Sequence, residues 1–143
     1  MIKVKKEILS TLTKLAETND DYSAQFAAAI VRGNRVISFG YNKLKTHPFQ
    51  AKYGRNEESI FLHAEIAAIK NALKVLDVED LSKCDLYIVR VKRPKPRSKK
   101  YVWGLSKPCE GCMRAIIEFG IRRVIYSTDT HNEWKTLDCK EIK

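Results

Sequence analysis

No apolar run in the 143 residues comes near the ~20 needed to cross a bilayer. The opening Met-Ile-Lys-Val-Lys-Lys is too charged, and too soon acidic at Glu7, for a secretory signal. No long polar tract breaks a chain that is 44% hydrophobic and 31% charged, which excludes wholesale disorder. Neither an internal repeat nor a linker divides it, so residues 1–143 are expected to form one domain. The four cysteines do not argue for a disulfide framework in a chain with no export signal. The expectation is a soluble cytoplasmic protein.

Acid is also missing from one long stretch. Lys and Arg total 27 against 17 Asp and Glu, a formal net charge of +10. Arg90, Lys92, Arg93, Lys95, Arg97, Lys99, Lys100 and Lys107 carry eight of those charges with no acid among them. So concentrated a field suits a polyanion or a phosphorylated small molecule, or it is a solvated loop serving solubility. Tyr101 and Trp103 beside it fit either a single-stranded nucleic-acid groove or a hydrophobic cap.

Hydrophobic periodicity supplies the elements. Ile8, Leu9, Leu12 and Leu15 share one face of a helix over 3–17. The apolar run at 24–31, the turn Arg32-Gly33-Asn34-Arg35 and the run at 36–41 predict a β-hairpin. Residues 42–61, with Pro48 and Gly54, predict a long loop, a feature often functional in small domains. Ile66, Ala67, Ile69, Ala72, Leu73 and Leu76 predict a helix within 62–76, and 86–91 a strand. Pro94 and Pro96 bar the next stretch from a central strand. A helix is expected from about Pro108 to Phe119, capped by Gly120, then a strand over 121–126. The order α-β-β-α-β-α-β describes a sheet with helices packed on it and a parallel crossover. The short tail after Asp129 is expected to carry an abbreviated last strand or none. Cys84 and Trp134 are expected to be packing residues, and Cys139 has no assigned role.

Two motifs carry chemistry: His63-Ala64-Glu65 and Pro108-Cys109-Glu110-Gly111-Cys112. Each falls at the start of a predicted helix, so two helix N-termini with free N–H groups converge. One imidazole and two thiolates, His63, Cys109 and Cys112, make a three-ligand zinc set that leaves the fourth position open, as catalytic zinc sites do. Helix N-termini favour thiolates. Glu65, two residues from His63, is placed to move protons to and from water rather than to ligate. A Cys-x-x-Cys alone could be half a zinc ribbon or a redox pair. A ribbon needs a second such pair, which this chain lacks, and a redox pair leaves His-Ala-Glu without a use.

Together the motifs are the H-x-E…P-C-x-x-C signature of zinc deaminases that attack C4 of cytosine or C6 of adenine. Over about 24–126 the chain resembles the cytidine and deoxycytidylate deaminase superfamily. The resemblance implies a three-layer α-β-α, cytidine-deaminase-like fold: a mixed sheet of four to five strands with helices on both faces. It implies Zn2+ as cofactor and Glu65 as the catalytic residue. It places Asn42 against the substrate sugar, the Ala64 N–H on the ring carbonyl and the Ser106 backbone carbonyl on the leaving amino group. It also implies a homo-oligomer. Lys45, Lys92, Arg93, Lys95 and Arg97 are candidate phosphate or nucleic-acid contacts, with His47, Lys52 and Arg55 in the same entry loop as Lys45. The chain departs from the deoxycytidylate pattern at Lys43, where a glycine is usual, and in a long insert at 92–104.

The expected activity is conversion of the cytosine of a free nucleotide, of dCMP or CMP class, to uracil. Two alternatives stand beside it: deamination of a cytosine or adenine base in single-stranded DNA or RNA, and a zinc-stabilised nucleic-acid-binding module without activity. The last leaves Glu65 beside an open metal position unexplained.

Overall fold

The structure, a computed structural model, describes residues 5–18, 25–42, 63–95 and 100–141. Helix α1 (Lys6–Thr18) buries Ile8, Leu9, Leu12 and Ala16 on one face, as its periodicity predicts. The next two apolar runs are strands β1 (Gln25–Arg32) and β2 (Arg35–Tyr41), joined by Gly33-Asn34. Gly33 has φ +61° while Asn34 stays outside the positive region, the backbone of a type II′ hairpin. Ile30 faces Ser38 and Val31 faces Val36, so Ile37 is bulged out of the ladder.

Helix α2 (Ala64–Ala72), strands β3 (Asp85–Lys92) and β4 (Val102–Gly104), helix α3 (Glu110–Glu118), and strands β5 (Arg123–Ser127) and β6 (Trp134–Asp138) follow. Short 3-10 turns span Val78–Lys83 and Cys139–Glu141. Gly120 ends α3 as expected: at φ +80° it lets the Gly120 N–H reach Ile117 O and the Ile121 N–H reach Ile116 O, a Schellman closure.

The strands form one sheet in the order β2-β1-β3-β5-β6, with β4 beside β3. β3 and β5 are parallel and every other pair is antiparallel. β1 lines one edge of β3, while β5 takes Asp85–Ile88 of the other edge and β4 takes Arg90–Lys92. The six strands among the described residues exceed the expected four to five, and β4 and β6 have distinct causes. Part of the long insert turns back as β4, and the short tail extends as β6 along β5, pairing from Arg123–Asp138 to Ser127–Trp134. An open edge of β5 is covered by this pairing, an incentive that tail length alone does not reveal.

Alternation along the strands divides the core into two layers. Ala27, Ala29, Val31, Tyr87 and Val89 pack under α1. Ala28, Ile30, Leu86, Ile88, Val124 and Tyr126 pack under α2 and α3. Helices therefore lie on both faces. Trp103, one of the two aromatics beside the basic stretch, is 4% exposed and belongs to the α1 layer. Its Nε1–H donates to Thr13 Oγ1 at 3.0 Å, so it caps hydrophobic structure and is not a stacking platform. Cys84 is buried and Trp134 packs against the α1 layer, as expected. Among the described residues, no helix is long and apolar enough to cross a membrane.

Candidate metal centre

β2, β3 and β5 run in one direction, each either antiparallel to β1 or parallel to β3. Their carboxyl ends therefore share one end of the sheet, the end at which open α/β sheets bind ligands. α2 and α3 both begin there. His63 is the N-cap of α2 and Cys109 the N-cap of α3, and neither side chain caps its own helix. Ser, Thr, Asp or Asn ordinarily fills such a position to bond the free N–H groups. Imidazole and thiol at the two caps leave those side chains for each other.

They meet. His63 Nδ1 lies 3.2 Å from Cys112 Sγ and 3.6 Å from Cys109 Sγ. All three ligand atoms fall within 4.8 Å of one another. Zinc bonds of ~2.0–2.1 Å to nitrogen and ~2.3 Å to sulfur at tetrahedral angles require N···S separations of about 3.6 Å. The donor set and its spacing fit zinc, and His63, Cys109 and Cys112 form a candidate zinc site.

The electrostatics agree. The Cys112 thiol donates to Cys109 and, with the His63 ring as a second donor, brings the Cys109 thiol down to about 4 against the opposing effect of burial. Cys112, bonded to Cys109 and buried, is held well above the usual thiol range. Glu65 is only 4% exposed. Burial pushes its carboxyl above the usual carboxylate range, while the neighbouring His63 and the Glu65 backbone N–H pull it back. A carboxyl so placed, close enough to interact with Cys112, can hold a proton and release it.

Close packing sets α2 at this height above the sheet. A Cβ on Gly40 would lie 2.3 Å from the Ala68 nitrogen and 2.6 Å from the Ala64 carbonyl oxygen, so only glycine lets helix and strand touch there. Ser38 Oγ donates to Ala68 O at 2.6 Å, and Asn71 Nδ2 donates to Phe39 O at 2.8 Å, lacing the same contact. The sequence marks Asn42 in this segment, but the need for glycine at position 40 is visible only once α2 is packed on β2.

Other expected residues are distributed as follows. Ala64 is buried at the first position of α2. Asn42 follows β2, and its Oδ1 accepts from the Phe26 N–H at 3.0 Å. The buried Ser106 hydroxyl donates to Ile88 O at 3.0 Å and accepts from the Ser127 N–H at 2.8 Å. Ser127 Oγ donates to Gly104 O at 2.7 Å and accepts from the Arg90 N–H at 3.0 Å. This serine pair ties β3, β4 and β5 to the segment that delivers Cys109. Ser127 sits at the end of an apolar strand and had no local signal to mark it.

The basic stretch does not remain one field. Lys92 pairs with Asp129 at 3.1 Å. The Arg93 guanidinium lies over the Tyr101 ring and donates to its hydroxyl at 3.1 Å. Lys95 is exposed. Lys45, His47, Lys52, Arg55 and Arg97, with most of the loop expected over 42–61, lie outside the described residues.

The family model for the cytidine and deoxycytidylate deaminase zinc-binding region matches residues 2–128. Among solved structures, the apo dCMP deaminase from cyanophage S-TIM5 is similar at 21% identity and a TM-score of 0.53, over 87% of this chain and 86% of that one. The guanine deaminase from Bacillus subtilis is similar at 25% identity and a TM-score of 0.59, over 88% of this chain and 65% of that one. A structure from a study of A-to-I editing by tRNA:A34 deaminases at the wobble position of transfer RNA is similar at 24% identity and a TM-score of 0.50, over 83% of this chain and 71% of that one. No curated protein matches.

Proposed function

The chain belongs to the cytidine and deoxycytidylate deaminase family, and from that premise we propose that this zinc-dependent hydrolytic deaminase converts the cytosine of a free nucleotide, of dCMP or CMP class, to uracil and ammonia. The observation that carries the chemistry is a buried Glu65 beside a His/Cys/Cys cluster at two helix N-termini. His63 Nδ1 and the two thiolates would hold zinc, which when bound supplies Lewis acidity that brings the pKa of water to about 7.

Glu65 takes a proton from water as the water oxygen bonds to C4, and delivers that proton to ring N3. It then carries the second proton from the new hydroxyl to the amino group. The C4–N bond breaks, ammonia leaves and a carbonyl remains. The Ala64 N–H, in the first turn where helix geometry offers no internal acceptor, donates to the ring carbonyl. Asn42 lies against the sugar, and the Ser106 backbone carbonyl accepts from the departing amine.

The test is ammonia release from cytidine, deoxycytidine, CMP, dCMP, adenosine compounds and single-stranded DNA and RNA. Glu65→Ala should keep its zinc and lose roughly 10²–10⁴-fold in kcat. Turnover that survives Glu65→Ala, or none by the wild type on any substrate, overturns the proposal. A second reading, deamination of a base within single-stranded DNA or RNA, draws on exposed Lys95, Lys100 and Lys107 around the β3–β4 return. Turnover confined to polymers establishes it instead. Homo-oligomerisation, implied by the resemblance, is read by light scattering, and a single domain over 1–143 by one cooperative unfolding transition.

A further inference from the structure

Two register rows cross the sheet beneath the start of α2. In the first, Ala28 faces Gly40 on one side and Ile88 on the other, and Ile88 faces Tyr126. The first turn of α2 rests on Gly40 of this row. Two residues farther toward the carboxyl ends of β2 and β3, on the same face, the next row sets Phe26 opposite Arg90 and Arg90 opposite Gly104. Asn42 joins it through the bond from the Phe26 N–H. At ~3.4 Å per residue the step is about 7 Å. This second row therefore floors the space in front of the α2 N-terminus, where His63 stands.

Arg90 is mounted firmly in that floor. Its stem lies under Gly104, where a Cβ would meet Arg90 Cδ at 3.0 Å, and its backbone N–H is held by Ser127. Its guanidinium carbon is 5.5 Å from the centroid of the Phe26 ring, and Phe26 is the residue whose N–H bonds Asn42, so charge and asparagine share this row. Arg90 Nε is buried without a hydrogen-bond partner. No acid forms an ion pair with Arg90 among the described residues. Asp129, whose carboxyl the Arg90 charge helps to hold down, has its Oδ1 taken by Lys92 and the Leu105 N–H. A desolvated donor left open is costly unless a ligand completes it. A planar guanidinium beside an aromatic ring matches paired anionic oxygens, which a nucleotide carries in its phosphate ester.

We propose that Arg90 reads a phosphate of the substrate bound with its sugar against Asn42, and so sets the preference of the site for phosphorylated over unphosphorylated nucleosides. The proposal rests on the function above. Its phosphate is either the 5′-group of a free nucleotide or a backbone phosphate of a single strand.

Calorimetric binding of dUMP and of deoxyuridine to the zinc-loaded protein tests it without turnover. Wild type should prefer dUMP. Arg90→Gln should weaken dUMP by about 10- to 100-fold and deoxyuridine by less than about 2-fold. Arg90→Met, which keeps the stem under Gly104, should do the same if the glutamine variant fails to fold. No wild-type preference for dUMP, a preference that persists in the variants, or equal losses for both ligands overturns the proposal. An Arg90-dependent preference with turnover of dCMP assigns the contact to the 5′-phosphate. The same preference with turnover only on single strands assigns it to the backbone phosphate, and overturns the free-nucleotide reading alone.

Discussion

Cys109 and Cys112 stand at the carboxyl end of the sheet, Cys84 and Cys139 near the opposite end, and Cys109 and Cys139 have opposite chemistry. Cys109, at a helix N-terminus with the Cys112 thiol and the His63 ring aimed at it, is brought down to about 4. Cys139 is packed among Leu81, Leu86 and Val124, where burial and the nearby Asp138 and Asp85 push it up to about 11. Cys84 is raised as well, chiefly by burial. Their backbones are tied through Arg122, which donates its N–H to Cys84 O at 3.0 Å and accepts from the Cys139 N–H at 3.1 Å. Converging donors and free N–H groups make a ligand of one thiol, and apolar enclosure makes a core residue of the other.

The largest effect separating the two ends is metal content. Cys112→Ser should take bound zinc from about one per chain to near none by atomic absorption, while Cys84→Ala should leave it unchanged. Zinc retained by Cys112→Ser would erase the contrast. Next in size is Gly40→Ala, whose Cβ would stand 2.3 Å from backbone. It should cost about 3 kcal/mol or more in a urea titration and disturb the site with it.

Ser127→Ala unpairs the buried Arg90 N–H and the Gly104 carbonyl. It should cost about 2 kcal/mol and lower kcat/KM as well, because the same network leads to Cys109. At the far end, Asp85 holds Arg122 through two bonds of 3.1 and 3.2 Å. Asp85→Asn should cost about 1–3 kcal/mol with kcat/KM of the folded fraction unchanged. Equal effects on activity would show that the ends are coupled more tightly than their contacts indicate.

The smallest effect is a pH limb. The Cys139 thiol is raised from 9.0 to about 11 in the fold. Its contribution to stability is therefore complete below pH 9 and declines as pH rises through 11, because the unfolded chain loses this proton first. Urea midpoints between pH 8 and 11 should fall less steeply in Cys139→Ala, and iodoacetamide should label Cys139 in the folded protein only toward the top of that range.

Much of the site was legible locally. His63 to Glu65 spans the entry to one helix and Cys109 to Cys112 the entry to another, so short spacing alone brings each motif's groups to a helix start. The Gly33-Asn34 turn and the Gly120 stop were equally local, since the positive φ at Gly33 and at Gly120 favours glycine. The basic stretch was not legible in this way. Of its eight cations, the six among the described residues became a paired Lys92, an Arg93 over the Tyr101 ring, an Arg90 beside Phe26 and three exposed lysines. Trp103 went to the core through Thr13, 90 positions away.

By itself, then, the sequence determined which chemical groups the protein has for holding zinc and moving protons, and which end of each helix presents them. It did so because those relations span two or three residues and follow from helix geometry. Only the tertiary structure decided that β4 and β6 complete the sheet, that Ser127 braces the segment leading to Cys109, and that Lys92 is paired with Asp129 while Arg90 Nε is buried without a hydrogen-bond partner. Those outcomes depend on strands paired across tens of residues. No local period records which side chain, on which row, will find a partner.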